Sequence, residues 1–325
     1  MEFKSSNIRM WSRLGPSGAL GVASIELGKK DDSVCFLSAD MSFAAGLERF
    51  KNEYANRHYN VGIAEQNLIG VAAGLASEGF IPYAVTYSSF LATRALDQVK
   101  MCLGYMKSNV KLVGLNGGVA AGILGPTHMA IEDVSAIRAI PNMLVVSPAD
   151  TTEMIKAFLN VKDYKGPAYI RLTGTMNMPV VYKEDYDFQI GKAIKLVDGD
   201  EIMLIAFGAM VYNALEVVNK LKEIGISCAV YDCHTIKPLD PEMIDATKNY
   251  RMVVTIEEHS VIGGLGSSVL ESMSEKGILH HKFIRIGIND FYPHASSYKT
   301  ILKNCGLDVD GLFARIKQEY EGMSK

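Results

Sequence analysis

Short apolar runs alternate with amphipathic segments along the first half of the chain. The apolar runs have the length of buried strands, whereas the segments between them have the length and spacing of helices. The predicted strands cover residues 33–40, 81–87, 110–115, 143–147 and 168–172, and the predicted helices cover residues 19–27, 65–76, 90–106, 132–140 and 151–161. Strands that alternate with helices in this way predict a parallel sheet that is covered by helices on both faces.

A polar stretch separates this half from a second α/β pattern. Residues 173–188 contain Pro179 and a run of charged residues and tyrosines, and they are predicted to form a linker. After it, predicted strands at 201–207, 227–231, 251–257 and 283–286 alternate with predicted helices at 212–224, 241–246 and 267–274. The fold class is therefore predicted as α/β with two domains, at residues 1–180 and 190–325, of which the second is smaller.

Composition narrows the functional classes. The 325 residues are 48% apolar and 21% charged, which is typical of a globular protein with a sizeable core. A net charge of −3 indicates no binding to nucleic acid or to a membrane surface, and no apolar run reaches the ~18 residues of a spanning helix. The N-terminus lacks the apolar core of a signal peptide, and the five cysteines form no CxxC pair, which favours reduced thiols in the cytoplasm.

Glu65 is the first candidate for chemistry. It stands near the start of the predicted helix 65–76, in the sequence Gly62-Ile63-Ala64-Glu65-Gln66, and small and aliphatic residues follow it. A helix that is apolar on nearly every side is buried. Two interpretations of the carboxylate remain open from this stretch alone: it complements the helix dipole, or it exchanges a proton with a ligand while half-buried.

The stretch resembles the pyrimidine-binding domain of the transketolase family of thiamine diphosphate enzymes. In that family, the glutamate of a G-(I/V)-x-E-(Q/F) turn hydrogen-bonds N1′ of the aminopyrimidine ring and so helps to activate C2 of the cofactor. The resemblance implies that Glu65 is catalytic and that Ile63, in the same turn, lies against the cofactor. It also implies a parallel-sheet pyrimidine-binding domain followed by a mixed-sheet C-terminal domain.

Two further motifs match the family. An aromatic residue between a strand end and a helix start stacks on the aminopyrimidine in the family; Phe90 is the first candidate here and Tyr87 the second, although core packing explains such aromatics equally well. Gly125-Pro-Thr-His128 matches a loop whose histidine lies in the substrate channel. His128 is therefore predicted to hydrogen-bond a substrate hydroxyl or to transfer a proton.

Substrate contacts are predicted at the ends of other strands. The resemblance implies that Arg171 contacts a phosphate, with a surface ion pair as the alternative, and Arg13 is a second candidate for the same role. Leu124 stands where relatives carry an acid, and Asn116 begins a stretch where relatives place a His or Arg. The acceptor pocket is therefore predicted to be more apolar than is usual in the family.

Other polar residues are given structural roles. Arg94 and Asp97 are interpreted as residues that orient their helix rather than contact substrate. Glu257, Glu258 and His259 are consecutive, but neighbouring positions on a strand point to opposite faces, so no metal site is predicted in this chain.

The family's diphosphate-binding motif is missing from the sequence. That motif, G-D-G followed by an asparagine, holds Mg²⁺ and the diphosphate in full-length relatives. We therefore expect a split enzyme, in which a separate N-terminal subunit holds Mg²⁺ and the diphosphate while thiamine diphosphate lies across the interface. The family forms two such sites between paired protomers, which predicts an α2β2 assembly with self-association through helix 65–76 and the C-terminal domain.

Three functions remain open. The leading hypothesis is the C-terminal subunit of a transketolase, which moves a two-carbon ketol unit from a ketose or ketose phosphate to an aldose. The alternative is the beta subunit of a 2-oxoacid dehydrogenase-type enzyme or a deoxyxylulose-phosphate synthase-like enzyme, both of which decarboxylate a 2-oxoacid. The third is a non-catalytic partner subunit, against which the presence of Glu65, Phe90 and His128 argues.

Overall fold

The first half of the chain forms a parallel sheet. The computed structural model describes residues 1–278 and 282–323. Six strands of the first sheet run parallel to one another: β1 (Val34–Ser38), β2 (His58–Asn60), β3 (Ile81–Tyr87), β4 (Lys111–Leu115), β5 (Leu144–Val146) and β6 (Ala168–Arg171). All residues of β1, β4, β5 and β6 are buried, as expected when helices cover both faces of a sheet.

Helices pack on both faces of this sheet. They are α1 (Ser5–Lys30), α2 (Glu48–Glu53), α3 (Glu65–Ser77), α4 (Leu96–Gln98), α5 (Asp133–Arg138) and α6 (Thr151–Val161). Two π-helical segments, Phe90–Arg94 and Val99–Tyr105, flank α4 and complete the helix that was predicted over 90–106. The described helices include none that is both long and apolar enough to cross a membrane.

Helix α1 is longer than predicted because it continues across a kink. Gly15 has φ 71, and a Cβ at this position would lie 2.9 Å from the Cα of Met176, so only glycine fits here without a shift. The predicted part of the helix, residues 19–27, lies on the C-terminal side of this kink. The helical segment from Ser5 to Leu14 carries the buried Ile8 and Trp11 and lies outside the predicted helix.

The second half forms a smaller, mixed sheet. Its strands are β7 (Ile194–Val197), β8 (Ile202–Ala206), β9 (Cys228–Asp232), β11 (Met252–Ser260) and β12 (Lys282–Ile288), in the order β12-β11-β8-β9-β7. Strand β7 is antiparallel to β9, and the other pairs are parallel. The accompanying helices are α7 (Met210–Glu223), α8 (Pro241–Ala246), α9 (Leu265–Glu275), α10 (Tyr298–Asn304) and α11 (Val309–Glu321). The predicted fold class, two α/β units with a smaller mixed sheet second, is confirmed.

One strand of the second half belongs to the first sheet. Strand β10 (Thr235–Lys237) pairs antiparallel with β5, which makes the first sheet seven-stranded in the order β10-β5-β6-β4-β3-β1-β2. The Lys237 ammonium also donates to the carbonyl oxygens of Arg138 and Ile140, at 2.8 and 2.5 Å. Because β10 covers the edge that β5 would otherwise expose, the two units are joined by backbone hydrogen bonds as well as by the chain itself.

The predicted linker between β6 and β7 is packed against both units. Asp150, the N-cap of α6, accepts hydrogen bonds from the backbone amides of residues 181 and 182 through one carboxylate oxygen, at 2.7 and 2.9 Å. The Tyr182 hydroxyl donates to Asp232 at 2.7 Å, and the Tyr186 hydroxyl donates to Glu153 at 2.8 Å. The segment therefore fastens the start of α6 to the end of β9.

Candidate active site

The carboxyl ends of the parallel strands meet at one edge of the first sheet, where open α/β sheets bind their ligands. The turn between β2 and α3 lies at this edge and is fixed by Asn60. Its side-chain oxygen accepts from the backbone amides of Asp40 and Gly62, each at 3.0 Å. Gly62 has φ 75, a backbone conformation that favours glycine. The turn delivers Glu65 as the first residue of α3.

Glu65 is a buried carboxylate whose partner is an arginine. Its side chain is 3% exposed, and its Oε1 lies 2.9 Å from Nη1 of Arg94. The guanidinium carbon of Arg94 lies 4.0 Å from the centre of the Phe90 ring, so the same cation stacks on an aromatic face. The carboxylate, the guanidinium and the ring therefore form one contiguous group.

Three rings continue this group away from Glu65. The ring centre of His128 lies 5.2 Å from that of Phe90 and 5.3 Å from that of Tyr87. Tyr87 and Phe90 meet edge to face, with their ring centres 5.6 Å apart. We refer to Glu65, Tyr87, Phe90, Arg94 and His128 as the Glu65–His128 cluster. Residues from three separate parts of the sequence thus lie together at the sheet edge, and four of the five are among the site residues that the sequence predicts.

The His128 ring is oriented by its neighbour. Oγ1 of Thr127 lies 2.9 Å from Nδ1 of His128, and the backbone amide of His128 donates to the carbonyl oxygen of Gly125 at 3.0 Å. A hydrogen bond at one ring nitrogen fixes which tautomer the neutral imidazole adopts. Nε2 is the nitrogen that remains for a ligand.

Two aliphatic side chains are exposed on the same loop. Ile123 is 81% exposed and Leu124 is 47% exposed, in the 3₁₀ turn Gly122–Leu124. Exposed aliphatic residues are suited to contacting the apolar face of a ligand or of another chain. This placement is compatible with the apolar acceptor pocket that Leu124 predicts.

Arg171 lies in the interior of the protein. Its side chain is fully buried, and Nε donates to Oδ2 of Asp133 at 2.7 Å. Its Nη2 donates to the carbonyl oxygens of Ala130 and Glu258, each at 3.0 Å. Burial acts to lower the pKa of Arg171, but the charge of Asp133 and the hydrogen bond to it act in the opposite direction, and the pKa is raised. This placement argues against the predicted contact with a substrate phosphate, and also against the alternative of a surface ion pair, because the partners are buried and come from both units.

Three other predicted site residues make no direct polar or ring contact with the cluster. Ile63 is 77% exposed in the turn before Glu65, and Arg13 is exposed on α1. Asn116 starts the loop after β4 with φ 54. Among the described residues, no hydrogen bond, ion pair or ring contact joins Ile63, Arg13 or Asn116 to the Glu65–His128 cluster. Nor do the described His, Cys, Asp and Glu side chains form any group of three or more that is arranged to hold a metal ion.

Arg94 is the member of the cluster that the sequence analysis left outside the site. The signal that identifies it is structural: Phe90–Arg94 is a π-helical segment, and such segments are frequent at functional sites. No motif in the sequence marked this irregularity.

Comparison with known proteins identifies the family. The family model described as "Transketolase, pyrimidine binding domain" matches residues 16–177, and the one described as "Transketolase, C-terminal domain" matches residues 191–312. A Methanocaldococcus jannaschii protein named "Putative transketolase C-terminal section" is 40% identical over 92% of this chain and 94% of that protein. The chain belongs to the transketolase family. The resemblance found in the sequence is thereby confirmed.

Further relatives refine the position within the transketolase family. A Clostridium sp. protein named "6-deoxy-6-sulfo-D-fructose transketolase subunit SqwH" is 39% identical over 87% of each chain. A "1-deoxy-D-xylulose-5-phosphate synthase" of Syntrophotalea carbinolica is 34% identical over 94% of this chain but only 49% of that enzyme. A solved structure titled "Split gene transketolase, inactive beta4 tetramer" is 36% identical, covers 92% of this chain and 96% of its own, and superposes with a TM-score of 0.85. The chain is therefore a beta subunit of the split transketolase type.

Proposed function

We propose that this beta subunit works with a separate diphosphate-binding subunit as a transketolase, which transfers a two-carbon ketol unit from a ketose or ketose phosphate to an aldose. The observation that carries the proposal is the Glu65–His128 cluster, in which a buried carboxylate, an aromatic face and an oriented imidazole lie together. Thiamine diphosphate, when bound, supplies the nucleophilic carbon for this reaction. The same proposal includes a cytoplasmic location, domains at 1–180 and 190–325, and an α2β2 assembly.

The residues present fit the aminopyrimidine half of that cofactor. Arg94 shows the fit, because its guanidinium is a flat, nitrogen-rich cation that stacks on Phe90 while it donates to Glu65. Those are the two contacts that the family resemblance assigns to the aminopyrimidine ring. In the proposed complex, Glu65 would hold a proton at the aminopyrimidine ring, Phe90 would provide the stacking face, and the ring would take the place of the Arg94 guanidinium.

His128 acts on the substrate side. With Nδ1 engaged by Thr127, Nε2 is the nitrogen that hydrogen-bonds a substrate hydroxyl or carries a proton to it. Tyr87 packs edge to face against this ring and limits its rotation. Mg²⁺ and the diphosphate are assigned to the partner subunit, where hard oxygen ligands are needed.

The names of two relatives support the reaction class. The Clostridium protein is named as a subunit of a sugar transketolase, and the solved beta tetramer is described as inactive. We therefore expect this chain to be inactive alone and active with its partner. A decarboxylating function is the second candidate, since the chain aligns along 94% of its length with a deoxyxylulose-phosphate synthase.

Reconstitution tests the proposal. The chain is mixed with the diphosphate-binding subunit, thiamine diphosphate, Mg²⁺, a ketose phosphate and an aldose, and two-carbon transfer is expected only in the complete mixture. Glu65→Gln preserves size but removes the acid, and it is expected to lower kcat by at least about 100-fold. Carbon dioxide release from a 2-oxoacid without ketol transfer would favour the decarboxylating candidate. Full activity of Glu65→Ala would indicate a non-catalytic subunit.

A further inference from the structure

The loop that carries His128 is closed at its base by a pair of backbone hydrogen bonds. The amide of Gly118 donates to the carbonyl of Ala130 at 2.9 Å, and the amide of Ala130 donates to the carbonyl of Gly118 at 2.8 Å. We call residues 118–130 the His128 loop. Since its two ends are fixed to each other, whatever holds the base also sets where the imidazole lies.

Glu258, on β11 of the second unit, holds that base. Its Oε1 accepts from the backbone amide of Val119 at 2.7 Å, and its Oε2 accepts from the Tyr298 hydroxyl at 2.6 Å. Glu258 is 1% exposed. The approach is so close that a Cβ on Gly118, which has φ +70, would lie 2.3 Å from Glu258 Oε1. The contact is therefore possible only because residue 118 is glycine.

Arg171 links Ala130, at the C-terminal end of the loop base, to the backbone of Glu258. One nitrogen, Nη2, donates both to the carbonyl of Ala130 and to the carbonyl of Glu258, each at 3.0 Å. Both ends of the loop are thus bonded to residue 258, one through its carboxylate and the other through Arg171.

The tip of the loop packs on the second unit as well. A Cβ on Gly122 would lie 3.2 Å from the carbonyl oxygen of Ser296, and a Cβ on Gly125 would lie 3.4 Å from the Cβ of Ala295. These residues stand two and three positions before Tyr298, whose hydroxyl donates to Glu258. The second unit therefore contacts the His128 loop from its base to its tip.

We infer that Glu258 is a positioning residue for the proposed reaction, which acts on His128 through the Val119 amide and the base of the loop. This inference rests on the proposed function for its kinetic consequence, but its structural consequence is independent of any activity. It gives the C-terminal unit a definite role: the unit supplies no member of the Glu65–His128 cluster, yet it determines where one member lies.

Paired substitutions of Glu258 test the inference. Glu258→Leu removes both acceptors, whereas Glu258→Gln keeps an oxygen for Val119 and places an amide opposite the Tyr298 hydroxyl. Hydrogen exchange of the loop amides, measured on the isolated chain, is expected to accelerate about 10- to 100-fold in the Leu variant, since the buried acceptor of the Val119 amide is lost. The Gln variant is expected to restore most of the protection. Tyr298→Phe, a milder change, is expected to give an intermediate acceleration.

Glu257 provides a matched control. It is the preceding residue on the same strand and is fully buried, but its carboxylate accepts from the amides of Leu265 and Gly266, at 2.7 and 3.1 Å, at the start of α9. Glu257→Leu is expected to accelerate exchange at the start of α9 and to leave the His128 loop unchanged.

A kinetic cycle with His128 separates positioning from general stability. In the reconstituted enzyme, Glu258→Leu is expected to lower kcat at least about tenfold when His128 is present and by less than about twofold in a His128→Ala background. Equal losses in the two backgrounds, or loop exchange that is unchanged in both Glu258→Leu and Tyr298→Phe, would overturn the inference. If the wild-type pair transfers no ketol unit, the proposed function fails, and the exchange comparison alone decides whether Glu258 holds the loop.

Discussion

Replacing Arg171 by methionine is expected to destabilise the protein rather than to weaken binding of a substrate phosphate. The side chain is fully buried, and it donates hydrogen bonds to Asp133, to the carbonyl of Ala130 and to the carbonyl of Glu258. Methionine fills much of the same volume but leaves the buried Asp133 with the Tyr169 hydroxyl, at 2.6 Å, as its remaining close donor. Breaking one side of a buried ion pair costs about 3–5 kcal/mol.

A second substitution shows where this cost arises. Asp133→Asn removes the charge that Arg171→Met leaves unpaired, so the double variant is expected to recover about 1–3 kcal/mol relative to the sum of the two single variants. Arg315→Met is the control, because Arg315 pairs with Glu319 at the surface, where its side chain is 57% exposed. That variant is expected to change the unfolding free energy by less than about 0.5 kcal/mol.

The assay is urea unfolding of the isolated chain. Trp11 is the single tryptophan and is 2% exposed in the first unit, so its fluorescence reports on unfolding of the unit that contains Arg171. Far-ultraviolet circular dichroism follows both units together. If Arg171→Met costs less than about 1 kcal/mol and instead raises the KM for a phosphorylated ketose in the reconstituted enzyme, the structural interpretation is refuted and the original phosphate assignment stands.

Three further substitutions are expected to give measurable effects. Burial raises the pKa of Asp232 from 3.8 to about 7, so its contribution to stability is complete below about pH 4 and is lost as the pH rises towards 7. Asp232→Asn should therefore flatten the pH profile of urea unfolding over this range. An unaltered profile would contradict the raised pKa of Asp232. Leu124→Asp should shift acceptor preference towards more polar aldoses in a competition assay, and an unchanged profile would exclude a role in acceptor choice. Arg94→Ala should tighten thiamine diphosphate binding about five- to tenfold by calorimetry, because a competing ion pair and stacking contact are removed; weaker binding would show that Arg94 holds the cofactor instead.

The parts of the site that could be predicted are those set by local sequence. The turn before Glu65 depends on Asn60 and Gly62, within five positions of the glutamate, and the orientation of His128 depends on Thr127 and Gly125. Interactions over such short separations leave a motif in the sequence. The alternation of strands and helices predicted the first sheet for the same reason, since each element carries its own hydrophobic period.

The contacts that the sequence did not indicate join residues that are remote from one another in the chain. Arg171 stands at a strand end, as a phosphate ligand would, but its ion pair is with a residue 38 positions away and its carbonyl contact is 87 positions away. Strand β10 is only three residues long and pairs with the other unit's sheet, so nothing in its own sequence indicated it. The stacking of Arg94 on Phe90 requires a π-helical turn, which has no sequence signature in this chain.

Two buried networks of hydrogen-bonded residues join the units, and they affect the geometry of the site. One links Arg171, Asp133 and Glu258; the other links Glu153 and Asp232 through the tyrosines of the connecting segment. An apolar interface of the same size is often at least as stable, because burying charges costs desolvation energy. Hydrogen bonds, however, are directional, and a slide of one unit against the other leaves buried donors and acceptors unpaired. Glu65 is held by the first unit alone, whereas the loop that carries His128 is held by both, so the distance between these two residues depends on the relative placement of the units. We therefore expect these polar contacts to restrict the relative placement of the two units, and with it the distance between Glu65 and His128.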